Sequence, residues 1–259
     1  MKQLCTGQMS KITLLLFLIS NTLIADEIKL NKLQSIASHN TYKSQYKIEK
    51  FITNNKVYNL EFDLHKRNFL LTRLSNDWHV YHHIFDNNSS YSSFREVLTD
   101  LKAFKNKNPS HQLITVFLDT DGFDGNNSIS LFNSLLIEYI GKSLFTPKDV
   151  TKGCQDRDLV TSIKNCGWPS QSSLIGKFMF VLTSGNLKEY SKSNKQLAFL
   201  SSKPSEKLQS SVIYNVSYTN KKTTLPTNFL QRVYFVNTKE KIQVCKNNPH
   251  INFIAIDFK

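Results

Sequence analysis

The chain has 259 residues, of which 40% are hydrophobic and 20% are charged, and its formal net charge is +13. This composition excludes collagen-like, low-complexity and mainly disordered proteins, and the length fits one large domain or two small ones. The positive charge suits contact with an anionic surface, or reflects a proteome rich in lysine and asparagine. Because the lysines are scattered and no nucleic-acid-binding module is recognisable, a polynucleotide partner is disfavoured.

The first 25 residues have the pattern of a secretory signal peptide. Lys2 and Lys11 precede an apolar run from Leu14 to Ile19, and a cleavage point lies before Asp26. The run is far shorter than the ~20 residues that span a bilayer. We therefore expect residues 26–259 to be secreted or periplasmic, with an uncleaved anchor as the alternative.

Three cysteines remain after the predicted cleavage. Cys154 and Cys166 are close enough in sequence to close one small loop in an oxidising compartment. Cys245 is then expected to be a buried, small apolar side chain, and no cysteine or histidine spacing indicates zinc.

Short apolar, β-branched runs alternate with helical patterns along the chain. Eight strands are predicted, at residues 33–38, 58–64, 79–82, 113–118, 178–183, 212–216, 233–236 and 252–256. The 3.6-residue period predicts helices near residues 93–104, 129–140 and 239–246, whereas the connections after the first two strands are too short for full crossover helices. Residues 184–211 are weakly patterned. This alternation predicts an α/β fold, an irregular TIM-type (β/α)8 barrel in one domain.

Polar side chains follow the first four predicted strands. They are Ser-His-Asn-Thr-Tyr at 38–42, Glu-Phe-Asp at 61–63, Tyr-His-His at 81–83 and Asp-Thr-Asp at 119–121. Parallel barrels place their active sites at the carboxyl ends of the strands. The four segments are therefore expected to meet in one mouth of the barrel.

The acidic residues of this set predict a hard metal ion. Glu61 and Asp63 are two residues apart on a strand, so both side chains face the same side. Two carboxylates directed into a barrel repel each other unless a cation compensates them. Asn40 and Asp119 offer further oxygens, and oxygen ligands suit Ca²⁺, with Mg²⁺ as the alternative. An edge strand with both acids in solvent is the competing interpretation.

Two histidines end strands on the same rim. His39 and His82 could donate to a phosphate oxygen or act as acid and base near neutral pH. His65, His79 and His83 compete for these roles, but the strand register directs them away.

These motifs resemble the X region of phosphatidylinositol-specific phospholipase C. The similarity lies in Ser-His-Asn-Thr-Tyr at 38–42, Leu-Glu-Phe-Asp-Leu at 60–64 and Val-Tyr-His at 80–82. Segments at 144–150, 167–169, 175–178 and 256–258 are similar to the bacterial calcium-dependent branch. The resemblance runs from about residue 33 to the end of the chain. The Glu-x-Asp pair alone would also fit glycerophosphodiesterases and sphingomyelinase D enzymes.

The resemblance implies a metal-assisted phosphodiesterase that acts at a membrane surface. It would cleave phosphatidylinositol to diacylglycerol and inositol cyclic phosphate, with no obligate protein partner. His39 would contact the phosphate and His82 would protonate the departing diacylglycerol oxygen. Glu61 or Asp119 could take the proton from the inositol 2-hydroxyl. One calcium ion would be held by Asn40, Glu61, Asp63 and Asp119.

The sequence also departs from the family pattern. Asp119 stands where the eukaryotic motif has glutamate, so the last ligand would be Asp119 or Asp121. No lysine occurs in the strand at 178–183, which indicates a preference for phosphatidylinositol over its phosphorylated forms. Lys177 is a candidate substrate contact, or else a surface charge at the start of that strand. The alternatives are a phosphodiesterase for another phospholipid or glycerophosphodiester, and a non-catalytic lipid-binding barrel.

Overall fold

The structure is a computed structural model that describes residues 27–66, 77–82, 88–123, 125–156, 158–193, 195–203, 210–220 and 226–258. The predicted signal peptide and His83 lie outside the described residues.

Strands and helices alternate along most of the chain. The strands are β1 (Ser35–His39), β2 (Asn59–His65), β3 (His79–Val80), β4 (Ile114–Thr120), β5 (Phe178–Leu182), β6 (Phe199–Ser202), β7 (Ile213–Ser217), β8 (Leu230–Tyr234) and β9 (Phe253–Asp257). The α-helices are α1 (Ile48–Asn55), α2 (Phe94–Lys107), α3 (Gly125–Tyr139), α4 (Pro147–Cys154), α5 (Leu159–Cys166), α6 (Leu187–Ser191) and α7 (Lys239–Lys246).

The described strands form one curled sheet in the order β1-β9-β8-β7-β6-β5-β4-β2-β3. All pairings from β1 round to β2 are parallel. Across the seam between β1 and β2, the Asn59 amide donates to Ser35 Oγ at 2.9 Å and to Ile36 O at 3.0 Å. The fold is thus an irregular TIM-type barrel, as predicted, with side chains bridging one seam.

Three local predictions need correction. The third predicted strand is not a barrel strand, because β3 has two residues and pairs antiparallel with β2. The weakly patterned stretch at 184–211 contains a strand, β6, that completes the parallel run. The connection after β1 contains the short helix α1, which was not predicted.

Strands β4 and β5 are buried on both faces, which explains their continuous apolar runs. Outside the sheet, Phe62 belongs to the same core cluster as the buried face of α2. That helix begins as predicted, with the Ser93 hydroxyl accepting from the Glu96 backbone N–H at 3.3 Å. Inside the barrel, Phe117 and Phe253 pack edge to face, with ring centres 5.2 Å apart. Each large apolar side chain buried in this way contributes about 1.5–3 kcal/mol to stability.

A disulfide joins Cys154 to Cys166, as the sequence predicts, and connects the ends of α4 and α5. A bridge that closes a loop of this size stabilises a fold by about 3 kcal/mol, chiefly by restricting the unfolded chain. Cys245 is fully buried, as predicted. Within the described residues, the helices are too short or too polar to cross a bilayer.

Candidate active site

The carboxyl ends of the parallel strands bring most of the predicted polar residues to one mouth of the barrel. His39 is opposite Asp257 in the β1–β9 ladder. Asp63 is opposite Asp119 in the β2–β4 ladder. These registers place a histidine and three acidic residues at one end of the sheet, where parallel barrels carry their chemistry.

The turn after β1 fixes the position of Asn40. This residue adopts the left-handed conformation, with φ 55° and ψ 53°, which asparagine tolerates better than most residues with a Cβ. Its backbone N–H donates to Glu61 Oε2 at 3.0 Å, and the Thr41 hydroxyl accepts from the Glu61 backbone N–H at 2.9 Å. The turn is therefore tied directly to β2, with His39 and Asn40 beside Glu61.

Glu61 is paired with an arginine that the sequence analysis missed. The Arg232 side chain comes from β8 and places Nη2 2.9 Å from Glu61 Oε2. Its Nη1 donates to Asn215 Oδ1 at 2.9 Å, and the guanidinium carbon lies 4.7 Å from the centre of the Phe117 ring. The sequence predicts that a cation compensates the Glu61–Asp63 repulsion, and the oxygen ligands indicate a metal ion. The structure corrects this, because a buried guanidinium compensates Glu61.

Tyr42 connects two of the predicted calcium ligands. Its hydroxyl lies 2.8 Å from both Asn40 Oδ1 and Asp63 Oδ2. His82 Nδ1 lies 2.8 Å from the same Asp63 oxygen. Asp63 is therefore positioned by the buried phenol of Tyr42 on one side and the imidazole of His82 on the other. Leu64, the next residue along β2, faces the outer core as predicted.

Asp119 reaches the open mouth and accepts a short hydrogen bond from the Ser184 hydroxyl. Partial burial raises the pKa of Asp119, and the Ser184 hydrogen bond offsets part of this rise. The charges of Asp63 and Glu61 raise the pKa further. Three carboxylates are thus close enough to repel one another, even though Arg232 is present.

Asp121, the alternative last ligand, lies apart from this group. Its carboxylate accepts from the Lys66 backbone N–H at 3.1 Å and lies 3.8 Å from His65 Nδ1. The structure therefore places Asp119, rather than Asp121, beside Asp63.

The donor set fits a hard divalent cation. Within the part of the chain that the structure describes, Glu61 Oε1, Asp63 Oδ1 and Asp119 Oδ2 accept no hydrogen bond, while the second oxygen of each carboxylate is engaged. Carboxylate and amide oxygens are the ligands that calcium prefers. In the described residues, the three carboxylates do not form a group in which one oxygen of each lies within 4.8 Å of both others. Binding an ion among them therefore requires side-chain rotation toward a shared centre.

Each of the two predicted catalytic histidines has a carboxylate partner. His39 Nδ1 lies 2.6 Å from Asp257 Oδ1, and its Nε2 lies 3.8 Å from Glu61 Oε2. His82 pairs with Asp63 through Nδ1. The two imidazoles thus contact two acids that share one face of β2.

Of the competing histidines, the structure describes His65 and His79, and both have partners outside this group. His65 stacks on Tyr81, with ring centres 4.2 Å apart, and is near Asp121. His79 lies in β3, opposite His65 in the ladder.

Lys177, the candidate substrate contact, is not brought to the mouth. It precedes β5 at the amino end of the strand, and its Nζ donates to Lys142 O at 2.8 Å.

Several residues of the mouth were not singled out as site residues from the sequence. Arg232 could have been found as the one charged side chain in the buried strand β8. Asp257 lies in the closing Ile-Asp-Phe segment that carries part of the resemblance. Tyr234 stacks on His39, with ring centres 6.3 Å apart. Neither Tyr234 nor Ser184 gives such a signal, because serine and tyrosine are common at strand ends.

Comparison with known proteins identifies the family of the chain. The family described as "Phosphoinositide phospholipase C, Ca2+-dependent" matches residues 77–249, about two thirds of the chain. No curated protein matches the chain.

Solved structures show the same fold at low sequence identity. A calcium-dependent phosphoinositol-specific phospholipase C from Pseudomonas sp. is 22% identical, with a TM-score of 0.75 over 89% of this chain and 90% of that one. A Ca²⁺-dependent phosphatidylinositol-specific phospholipase C from Streptomyces antibioticus is 18% identical, with a TM-score of 0.67 over 88% and 94%. The phosphatidylinositol-specific phospholipase C of Listeria monocytogenes is 13% identical, with a TM-score of 0.53 over 91% and 92%.

The family match over this barrel fold places the chain among the phosphoric diester hydrolases of the phospholipase C class. The chain belongs to the calcium-dependent phosphoinositide phospholipase C family.

Proposed function

We propose that the protein is an exported enzyme that cleaves phosphatidylinositol to diacylglycerol and inositol cyclic phosphate. The observation that carries the proposal is the pair of imidazoles that contact Glu61 and Asp63, one on each acid. A phosphodiester bound between two such rings has a hydrogen-bond donor for its phosphate and a proton donor for its leaving oxygen.

His39 is the phosphate-binding histidine in this scheme. Asp257 accepts the Nδ1 proton of the ring, which leaves Nε2 directed toward Glu61 and the mouth. The imidazolium form of a ring held in this way donates from Nε2 to a non-bridging phosphate oxygen and stabilises its developing negative charge.

His82 is the general acid. Asp63 accepts at Nδ1 and fixes the orientation of the ring, so that Nε2 is the atom that donates a proton to the departing diacylglycerol oxygen. As the inositol 2-hydroxyl oxygen bonds to phosphorus, the bond from phosphorus to the diacylglycerol oxygen breaks, and Glu61 or Asp119 takes the hydroxyl proton. Glu61 or Asp119 gains one proton, and the imidazolium form of His82 gives one from Nε2 and becomes the neutral imidazole, with its Nδ1 proton still donated to Asp63.

Calcium fits the oxygens of Asn40, Glu61, Asp63 and Asp119, and when bound it would lower the pKa of the attacking hydroxyl and neutralise charge on the phosphoryl oxygens. Two hydroxyl groups hold three of these ligands in place. The Tyr42 hydroxyl contacts Asn40 and Asp63, and the Ser184 hydroxyl donates to Asp119.

The preferred lipid is proposed to be phosphatidylinositol without ring phosphates. The residues of β5 are fully buried and apolar, so the strand presents no lysine to bind additional phosphates.

Export is supported by the Cys154–Cys166 disulfide, since such bridges persist in oxidising compartments. The predicted signal peptide and contact with an anionic membrane surface belong to the same proposal.

A panel of lipid substrates tests the reaction class. Vesicles of phosphatidylinositol are expected to release diacylglycerol, with inositol 1,2-cyclic phosphate as the first water-soluble product by ³¹P NMR. Turnover of sphingomyelin or glycerophosphodiesters without turnover of phosphatidylinositol would overturn the proposal in favour of another phosphodiesterase. No turnover of any of these lipids would favour a binding protein.

A further inference from the structure

Two glycines bring the loops that follow β4 and β5 into backbone contact. Gly122, with φ 117°, and Gly185, with φ 87°, both have a positive φ that glycine adopts readily. A Cβ at Gly185 would lie 2.8 Å from Gly122 Cα, 2.8 Å from Thr120 O and 3.0 Å from Gly122 N. Non-bonded carbon atoms prefer a separation of about 3.5–4.0 Å, so a side chain fits at position 185 only if the two loops move apart.

The two loops are also joined near the helices that follow them. Phe123, the residue after Gly122, stacks on Tyr190 of α6 with ring centres 5.3 Å apart. The buried Tyr190 hydroxyl donates to Asn133 Oδ1 of α3 at 2.9 Å. Because these contacts hold the loops together on the helix side, the missing side chains at positions 122 and 185 determine how closely the loops approach beside the strands.

Ser184, directly before Gly185, connects this backbone contact to the mouth of the barrel. Its hydroxyl oxygen accepts from the Thr120 backbone N–H at 2.9 Å, and the hydroxyl donates to Asp119 Oδ1. Both hydrogen bonds run from the loop after β5 to the end of β4, so they form only where the two loops are close. Within the described part of the chain, Asp119 Oδ2 is the carboxylate oxygen that remains without a hydrogen bond.

We propose that Gly185 is a positioning residue for calcium binding: its contact with Gly122 holds the Ser184 hydroxyl on Asp119 and so orients the carboxylate for the ion. This inference rests on the proposed function, in which Asp119 is a calcium ligand. Groups that orient a metal-binding side chain typically change metal affinity by about 10- to 100-fold. Gly185 has no side chain to offer the ion or the lipid, so its effect passes through Ser184.

The test is a double-mutant cycle for calcium binding, with Gly185→Ala and Ser184→Ala measured by titration calorimetry in the absence of lipid. Each single variant is expected to lower calcium affinity about 10-fold, Gly185→Ala because the methyl group separates the loops and Ser184→Ala because the hydroxyl is lost. The double variant is expected to lose about 10-fold as well, rather than about 100-fold, because both changes remove the same hydrogen bond.

The matched control is Gly141→Ala. Gly141 also has a positive φ, 56°, but a Cβ there would meet no atom of the described residues within 4 Å, so the change strains the backbone without displacing a neighbour. Calcium affinity should stay at the wild-type value. Thermal unfolding identifies the folded variants. If Gly185→Ala does not fold, Gly122→Ala takes its place in the cycle, because its Cβ would press less closely on the same contact, 3.2 Å from Asn186 N.

Wild-type calcium affinity in the folded glycine variant, or in Ser184→Ala, would overturn the inference. A loss of about 100-fold in the double variant would also overturn it, because the loop contact would then act independently of Ser184. A wild-type protein that binds no calcium would instead contradict the proposed function, and the role of Asp119 with it.

Discussion

Asp257 Oδ1 lies 2.6 Å from His39 Nδ1, and the two residues are register partners at the carboxyl ends of β9 and β1. The last strand of the chain thus orients a histidine on the first strand. Asp257 is itself held by Asn237, whose Oδ1 accepts from the Asp257 backbone N–H at 3.0 Å. The orientation of His39 therefore depends on closure of the barrel.

Asp257→Asn is expected to lower kcat on the order of 10²-fold, because asparagine can also donate to Nδ1 and would allow the wrong tautomer of His39. The measurement is a pH–rate profile on phosphatidylinositol vesicles, in which the shape as well as the height should change. Glu138→Gln alters an exposed carboxylate on α3 and is the control. A profile for Asp257→Asn that matched this control would contradict the positioning role.

His82→Ala is expected to lower kcat by about 10²-fold or more, since the diacylglycerol oxygen would leave without a proton donor. Steady-state kinetics on the same vesicles measures the loss. His250→Ala, which removes an exposed histidine before β9, should retain wild-type kcat. A small effect at His82 together with a large one at His83 would show that another imidazole is the acid.

Asp119→Asn separates stability from calcium binding. The pKa of the Asp119 carboxyl group is raised in the folded protein, so the folded protein holds the carboxyl proton more tightly than the unfolded chain does. That contribution to stability is lost as pH rises through the raised pKa, so Asp119→Asn is expected to stabilise the calcium-free protein modestly at pH 7. Calcium needs the ionised carboxylate, so calorimetric calcium affinity should fall roughly 10-fold or more.

Asp121→Asn is the matched control, because its carboxylate accepts from the Lys66 backbone instead. It should leave calcium affinity unchanged. If Asp121→Asn weakened calcium binding more than Asp119→Asn did, the assignment of the last ligand would be reversed.

Arg232→Met is expected to destabilise the calcium-free protein by about 3–5 kcal/mol, because Glu61 would remain buried without its charge partner. Urea unfolding in chelator measures this, and added calcium should restore part of the loss. Lys107→Met breaks an exposed ion pair with Glu49 and should cost less than about 1 kcal/mol. Equal costs for the two variants would contradict the importance of the buried pair.

The sequence predicted the elements whose patterns are local. The apolar run in β4 and the 3.6-residue period of α2 are each explained by burial of adjacent residues. Alternation along β2 likewise places Glu61 and Asp63 together and Leu64 on the other side. Such patterns are properties of one segment and need no knowledge of its neighbours.

The missed features depend on distant contacts. β6 is only four residues long and ends in Ser201 and Ser202. Both serines are buried in the barrel, but serine gives no apolar pattern from which a buried strand could be predicted. β3 is too short to show a period. The pairing of Arg232 with Glu61 joins β8 to β2 across the barrel interior, so neither segment indicates it alone.

In the proposed reaction, acidic oxygens between two histidines bind calcium for the cleavage of an inositol lipid. The most direct test is diacylglycerol release from phosphatidylinositol vesicles in calcium, in excess chelator, and after calcium is restored. We predict that release stops in chelator and resumes with calcium. Equal release under all three conditions would contradict the account.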